Sequence, residues 1–207
     1  KGDNVDVWLT HSLEKPERWW RTSGCTGGVT SVESGASQEI MPEAITTTTG
    51  FVPHLVNGTT LHPDQVSQLI DLVLNAQDLY RQSGGVHTSA LSDGEQLLVV
   101  TEDIGRHNTL DKIAGRALLE DLHPRSRILL TTGRISSEML QKAARLGAAV
   151  VISRSAASSL AIELANEYGI TLITYARRDR FTVYTAPHRI VTSSPAIHFS
   201  PPDQQKQ

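Results

Sequence analysis

The chain has 207 residues, of which 39% are hydrophobic and 20% are charged, and this composition is typical of a globular protein. Its 19 Lys and Arg against 22 Asp and Glu give a net charge of -3, which excludes a global field that favours nucleic acid or an anionic membrane. No apolar run reaches the roughly 18 residues that cross a bilayer, and no secretory leader is recognisable. We therefore expect a cytoplasmic protein that binds neither nucleic acid nor a membrane.

The chain contains one cysteine, Cys25. A single cysteine excludes an intrachain disulfide framework and a zinc site built on paired thiolates, so we expect a reducing compartment and no structural metal. The chain begins at Lys1 rather than Met and enters a strand-like segment at once. From this start we expect that upstream residues are missing.

Residues 1–60 are rich in Thr, Ser and Gly, with an extended candidate at 6–10 and few helical periods, which predicts a small β-rich segment. Pro63 and Asp64 then open an amphipathic stretch that ends before Gly84, which predicts one helix over about 64–82. We expect an α/β domain over 61–192 and a flexible, Pro- and Gln-rich tail over 193–207.

From Gln96 onward, apolar runs of strand length alternate with helical patterns of about three turns. The runs RILLTTG, AAVVISR and ITLITYAR are apolar throughout, as expected for parallel strands that are covered on both faces. Right-handed crossovers would make this a three-layer α/β domain. The segment FTVYT predicts one further strand, antiparallel to its neighbour.

Cys25 lies in the glycine-rich segment SGCTGG. A buried structural cysteine has apolar neighbours, whereas this one is flanked by Gly24, Gly27 and Gly28, whose N–H groups could stabilise a thiolate. An inert loop thiol is the alternative that these residues leave open.

The segment TEDIGRHNTLDK places acidic, basic and anion-binding side chains at the junction of a predicted strand and helix. The carboxyl end of a strand is where α/β sheets usually bind ligands, which favours a functional cluster of Glu102, Asp103, Arg106, His107 and Asp111. The structural alternative is a helix cap at this junction, with acidic residues that suit the helix dipole.

His87 follows two glycines in GGVHTSAL. A zinc deaminase would have Glu two residues later and a downstream PCxxC, but position 89 is Ser89 and that pair is absent, so a zinc hydrolase is excluded on its ligands. His87 is either a proton-transfer or hydrogen-bonding group of a site, or a structural histidine.

Three later strand ends, TTGRISSEM, SRSAASS and YARRDRF, place Gly, Ser and Arg where a strand gives way to a helix or turn. Their N–H groups, hydroxyls and guanidinium groups predict a nucleotide or phosphate pocket at one edge of the sheet. Helix capping is an equally good explanation for Ser136 and Ser155. Solvated turn arginines are the alternative for Arg177, Arg178 and Arg180.

Five segments in this order resemble the FdhD/NarQ family of formate dehydrogenase accessory proteins over nearly the full chain. The segments are GGVHTSAL, EDIGRHNTLDK, GRISSEMLQKAARLG, SAASSLAIELANEYGITLI and YARRDRFTVYT. The resemblance implies a three-layer, cytidine-deaminase-like α/β domain, preceded by a small β-rich segment, and a homodimer.

The same resemblance implies a sulfurtransferase that accepts persulfide sulfur from a cysteine desulfurase. The acceptor would be molybdenum bis(molybdopterin guanine dinucleotide), the cofactor of the partner formate dehydrogenase. Cys25 falls on the persulfide carrier, whereas the cofactor-binding segment falls on Tyr175, Ala176, Arg177, Arg178, Asp179 and Arg180. We expect the site to be shaped by His87, Asp103, Arg106, His107, Arg134 and Ser136.

Two departures from the family pattern qualify these expectations. Many members have a CxxC in the cysteine loop, and the second cysteine is replaced here within Gly27 and Gly28, so a thiol relay is not expected. The family often has Gly or Pro at the positions of Arg178 and Asp179. A cofactor-binding chaperone that handles no sulfur is the alternative function, and a degenerate deaminase-like hydrolase is a third.

Overall fold

A computed structural model describes residues 58–122 and 126–191, together with the backbone of residues 19–21 and 29–31. The chain divides into two compact units, Lys1–Phe51 and Val52–Gln207. In the first unit, strands β1 (Trp19–Arg21) and β2 (Val29–Ser31) pair antiparallel, with Trp20 opposite Thr30. The predicted strand at 6–10, Cys25 and the tail over 193–207 lie outside the described residues.

The second unit contains a six-stranded mixed sheet with the order β4-β3-β5-β6-β7-β8. The strands are β3 (His87–Ser92), β4 (Leu97–Asp103), β5 (Ile128–Thr131), β6 (Val150–Ser153), β7 (Thr171–Thr174) and β8 (Thr182–Val183). Strands β5, β6 and β7 are parallel neighbours, as the three apolar runs predict. Strand β8 is antiparallel to β7, which confirms the prediction for FTVYT.

The described part of the second unit contains five α-helices and a short 3-10 helix at Pro187–Arg189. The α-helices are α1 (Pro63–Asn75), α2 (Asp78–Ser83), α3 (Arg106–Leu119), α4 (Ser137–Arg145) and α5 (Ser159–Glu167). Helix α1 packs on one face of the sheet, whereas α3, α4 and α5 pack on the other. The predicted three-layer α/β fold is therefore confirmed.

Consecutive residues of each inner strand enter different cores, which explains why the strands are apolar throughout. Leu129 and Val151 pack with α3, α4 and α5, whereas their neighbours Leu130 and Ile152 pack with α1. All four side chains are completely buried. Burial of an aliphatic side chain of this size contributes about 1.5–3 kcal/mol, so both layers of helices are held to the sheet by apolar contact.

The prediction of one helix over 64–82 is wrong, because the chain breaks at Ala76 and Gln77 into α1 and α2. The Gln77 side chain turns inward, where its Nε2 donates to Thr88 Oγ1 over 3.0 Å. The amides of Leu79 and Tyr80 donate to the Glu102 carboxylate instead of to carbonyls one turn earlier. Side-chain acceptors thus replace the helical hydrogen bonds across the break.

Strand β3 was not predicted as a strand, although it lies inside the sheet, between β4 and β5. It is antiparallel to both of these neighbours, so the sheet is mixed rather than parallel. Thr88, Ser89 and Ser92 interrupt its apolar pattern, yet all three are completely buried. The Ser89 hydroxyl lies 2.7 Å from that of Thr109 and 2.9 Å from that of Thr131, so buried hydroxyls satisfy one another.

Candidate functional site

The ends of five strands lie at one edge of the sheet. Strands β5, β6 and β7 are parallel, so their carboxyl ends meet at this edge. Strand β3 runs the opposite way and begins there at His87, which pairs with Asp103 at the end of β4. The topology therefore brings the predicted His87 and the segments that begin at Asp103, Thr132, Arg154 and Tyr175 to one side of the domain.

A pocket of about 560 Å³ opens at this edge, a volume within the range of small-molecule sites. Two of the predicted residues, His87 and Arg177, lie in its wall. The lining residues are Gln77, Tyr80, Gly84, Gly85, Val86, His87, Thr132, Arg154, Ser155 and Arg177. No carboxylate is among these residues, so the charged groups of the wall are cationic.

Arg154 and Arg177 place two cations side by side in the pocket wall. The Arg177 Nη1 donates to the Arg154 carbonyl over 2.6 Å and to the Ala176 carbonyl over 2.9 Å. The Arg154 Nε is buried and has no hydrogen-bond acceptor within the described residues. Burial, followed by the charge of Arg177, lowers the pKa of Arg154. An anion in the pocket would relieve the repulsion between the two cations and supply the absent acceptor.

His87 lies between two further arginines at the same edge. A Cβ atom at Gly133 would lie 3.4 Å from His87 Nδ1 and 3.0 Å from the Arg106 Cβ, so these side chains crowd the glycine. Burial, then the charges of Arg106 and Arg134, lowers the pKa of His87. A neutral imidazole can donate one hydrogen bond and accept another.

The Asp103 carboxylate contacts helix α3 and the residue that precedes it. Its Oδ1 accepts from the Gly105 amide over 2.9 Å and from Asn108 Nδ2 over 3.0 Å, and its Oδ2 lies 2.6 Å from Lys112 Nζ. The hydrogen bond from Lys112, then that from Gly105, lowers the pKa of Asp103. Asp103 lies two residues before the N-cap, Gly105, so these contacts fix the turn that leads into α3 rather than cap the helix.

His107 and Ser136 contact helix α4. His107 Nε2 lies 3.8 Å from the Glu138 carboxylate, and the Ser136 hydroxyl accepts from the Met139 amide over 3.4 Å as the N-cap. Burial, then the nearby charge of Arg106, lowers the pKa of His107. Ser155, in contrast, does not cap α5, because Ser158 does so and Ser155 lines the pocket instead.

The predicted cofactor-binding segment forms a turn after β7. Tyr175 is 48% exposed and has a φ of 51°, a left-handed conformation that is rare for an aromatic residue. Ala176 is completely buried, and the Arg177 amide donates to the Arg180 carbonyl over 2.8 Å. Arg178 forms an ion pair with Asp71 of α1. Asp179 and Arg180 are exposed.

Comparison with known proteins identifies the family. The family model described as the FdhD/NarQ family matches residues 2–191. The chain belongs to this family. The matched region includes Cys25 and every other site residue that the sequence predicts.

Curated relatives of this family carry the name sulfur carrier protein FdhD. The relative from Halalkalibacterium halodurans is 42% identical over 134 residues, which are 65% of this chain and 50% of the relative. The relative from Staphylococcus haemolyticus is 44% identical over 131 residues, which are 63% of this chain and 50% of the relative. The chain thus spans about half the length of the curated FdhD relatives it matches.

A solved structure of a proposed formate dehydrogenase accessory protein from Desulfotalea psychrophila is similar to this member of the FdhD/NarQ family. Its TM-score is 0.63 and its sequence is 36% identical. The match covers 68% of this chain and 60% of the other.

The sequence patterns did not identify three residues that line the pocket of this FdhD/NarQ family member. Gln77 and Tyr80 fell inside the predicted helix, and Arg154 appeared only as part of SRSAASS. The usable signal for Arg154 was its place directly after an apolar strand, next to two serines.

Among the described residues, no group of three or more His, Cys, Asp or Glu is arranged to hold a metal ion. No helix in residues 58–122 and 126–191 is long and apolar enough to cross a membrane.

Proposed function

We propose that the protein is a sulfur carrier for the maturation of formate dehydrogenase. It takes persulfide sulfur from a cysteine desulfurase and passes it to molybdenum bis(molybdopterin guanine dinucleotide). The family match over residues 2–191 carries this proposal, and the relatives' name, sulfur carrier protein FdhD, supports the transfer of sulfur. The similar solved structure is that of a proposed formate dehydrogenase accessory protein, which supports formate dehydrogenase as the client.

Cys25 is the proposed carrier. Its thiolate attacks the outer sulfur of the donor persulfide, the donor's S–S bond breaks, and the donor leaves as a thiolate while Cys25 becomes the persulfide. Delivery breaks the new S–S bond and returns Cys25 to a thiolate. The transferred sulfur atom takes two electrons from the reduced molybdenum of the substrate as it becomes a sulfido ligand.

The pocket at the sheet edge is the proposed binding site for a guanine dinucleotide arm of that substrate. Its volume of about 560 Å³ suits a group of nucleotide size. Arg154 and Arg177 supply guanidinium groups for phosphate oxygens, and the buried Arg154 Nε has no other acceptor among the described residues. The turn from Tyr175 to Arg180 adjoins this wall and would contact the same arm. We propose a cytoplasmic homodimer, as the family resemblance implies.

The transfer of sulfur is tested by mass spectrometry after incubation with a cysteine desulfurase and cysteine. We expect an added mass of one sulfur atom on Cys25, which a reducing thiol removes. In cells that lack the natural protein, Cys25→Ala should abolish formate dehydrogenase activity. An absent adduct together with a fully active Cys25→Ala variant would exclude a sulfur carrier.

A cofactor-binding chaperone that handles no sulfur is the second candidate function. The pocket favours it because Arg154 and Arg177 form a cationic wall that suits an anionic cofactor. This candidate predicts that Cys25→Ala keeps both cofactor binding and dehydrogenase maturation. The sulfur carrier predicts that binding persists while maturation is lost, so the two functions are separated by one variant.

A further inference from the structure

Arg106 lies at the sheet edge outside the residues that line the pocket. It is the first residue of α3, directly after β4, and its side chain packs against the loop that follows β5. A Cβ atom at Gly133 would come within 3.0 Å of the Arg106 Cβ and 3.2 Å of its Cδ, so a side chain at position 133 would displace the arginine. Glycine at this position therefore allows Arg106 to approach the loop and His87.

Arg134 follows Gly133 and is exposed. Arg106 follows β4 and Arg134 follows β5, so the two arginines come from the strands on either side of β3, which begins at His87, and the charges of both lower the pKa of His87. Two cations that converge on a partly buried imidazole repel each other and disfavour its protonation. An anion bound beside His87 would offset this repulsion.

The carboxylates around Arg106 and Arg134 are directed elsewhere. Asp103 binds the start of α3 and Lys112, Glu138 faces His107, and Glu102 receives the amides at the start of α2. Neither arginine forms an ion pair within residues 58–122 and 126–191, and the Arg106 Nε is buried without an acceptor there. A buried guanidinium N–H without a partner is uncommon and costs free energy. A bound anion would supply the missing acceptor.

Strand order separates Arg106 from Arg177, which lies at the far end of the pocket. In the order β4-β3-β5-β6-β7, Arg106 follows the first strand and Arg177 follows the last, four strand spacings apart. At about 4.8 Å per spacing, the two backbones are roughly 19 Å apart. One pyrophosphate group is too short to contact both ends of this row.

We propose that Arg106 and Arg134 form a second anion-binding subsite, next to His87, that takes a phosphate or pyrophosphate group while the pocket is occupied. Planar guanidinium forks match phosphate oxygens, and two of them from different loops would hold the group from two sides. The neutral His87 can donate a further hydrogen bond. This inference rests on the described arginines and does not require that Cys25 carries sulfur.

Isothermal titration with inorganic pyrophosphate, on the full chain saturated with GDP, tests the second subsite. We expect the wild-type protein to bind one further equivalent of pyrophosphate. Arg134→Gln should weaken that binding at least tenfold, and Arg106→Gln combined with it should abolish it. Because Arg134 is exposed, its substitution should leave the fold intact. The matched control is Arg116→Gln, since Arg116 pairs with Glu120 near the far end of α3.

The histidine ring signals in NMR give a second measurement. Pyrophosphate should raise the pKa of His87 in the wild-type protein, because the anion offsets the two cations that lower it. It should leave that pKa unchanged when both arginines are replaced. Pyrophosphate that only displaces GDP, or that binds the double variant as it binds the wild type, overturns the second subsite. If GDP itself does not bind, the proposed pocket fails, and the same titration without GDP still decides the subsite.

Discussion

The Asp103 carboxylate accepts hydrogen bonds from three groups, and all three belong to helix α3 or its first turn. They are the Gly105 amide, the Asn108 amide group and the Lys112 ammonium group. Each stabilises the ionised carboxylate, so the pKa of Asp103 lies below its unfolded value. The stabilisation is complete above the unfolded pKa of about 4 and is lost as the pH falls through the lower pKa of the folded state.

Asp103→Asn is therefore expected to lower the free energy of unfolding by about 1–2 kcal/mol at pH 7, because the charge-assisted contact with Lys112 is lost. Urea denaturation of the variant and the wild type at several pH values measures this difference. The difference should shrink as the pH falls from about 4 toward 2, where Asp103 is protonated in the wild type. Asp179→Asn, at an exposed position, is the control. An equal difference at every pH would contradict the role of the charge.

At the scale of elements, Glu102 determines where helix α2 begins. Its carboxylate accepts from the Leu79 amide over 2.6 Å, from the Tyr80 amide over 3.1 Å and from the Thr88 hydroxyl over 3.1 Å. A six-residue helix is unstable by itself, so it depends on such contacts. Because Tyr80 and the glycines after α2 line the pocket, Glu102 positions one of its walls without lying in it.

Glu102→Ala should destabilise helix α2 and with it this wall of the pocket. We expect faster hydrogen exchange at the Leu79 and Tyr80 amides, a stability loss of about 1–2 kcal/mol, and several-fold weaker binding of GDP, while the core amides of β5 stay protected. Glu102→Gln, which keeps an amide oxygen as acceptor, should give an intermediate effect. Glu120→Ala, on the exposed end of α3, is the matched control. Wild-type exchange at Leu79 and Tyr80 in Glu102→Ala would show that α2 is held by other contacts.

The local pattern predicted the inner strands but not β3 or the break before α2. Strands β5, β6 and β7 are apolar on both faces, and their pattern follows directly from burial under two layers of helices. The hydroxyls of Thr88 and Ser89 are satisfied by groups 11 to 42 positions away in the chain. Such partners leave no periodic signal, so a buried strand that contains them is not recognisable from its own residues.

At the scale of the whole molecule, strand order determines which predicted residues share a site. Position after a strand was enough to predict that Arg177 shares an edge with the segments after β5 and β6, whereas His87, which begins the unpredicted β3, was assigned to the site through the family resemblance. It did not predict that Asp103 contacts Gly105, Asn108 and Lys112, because a structural carboxylate and a ligand-binding one occupy the same place in a strand-to-helix junction. Nor could it join Gln77 and Tyr80 to Arg154, because those contacts depend on the break between α1 and α2.

Cys25 belongs to the compact unit Lys1–Phe51, whereas the pocket belongs to the unit Val52–Gln207. We therefore predict that sulfur loading and nucleotide binding are separable. Arg154→Gln should weaken GDP binding at least tenfold, because it removes a guanidinium group that has no protein acceptor at Nε among the described residues. For the same reason it should change thermal stability little, and desulfurase-dependent sulfur loading of Cys25 should continue. Cys25→Ala should show the reverse, with GDP binding unchanged by calorimetry and no sulfur adduct by mass spectrometry. Loss of both properties in either variant would mean that carrier and pocket act as one site.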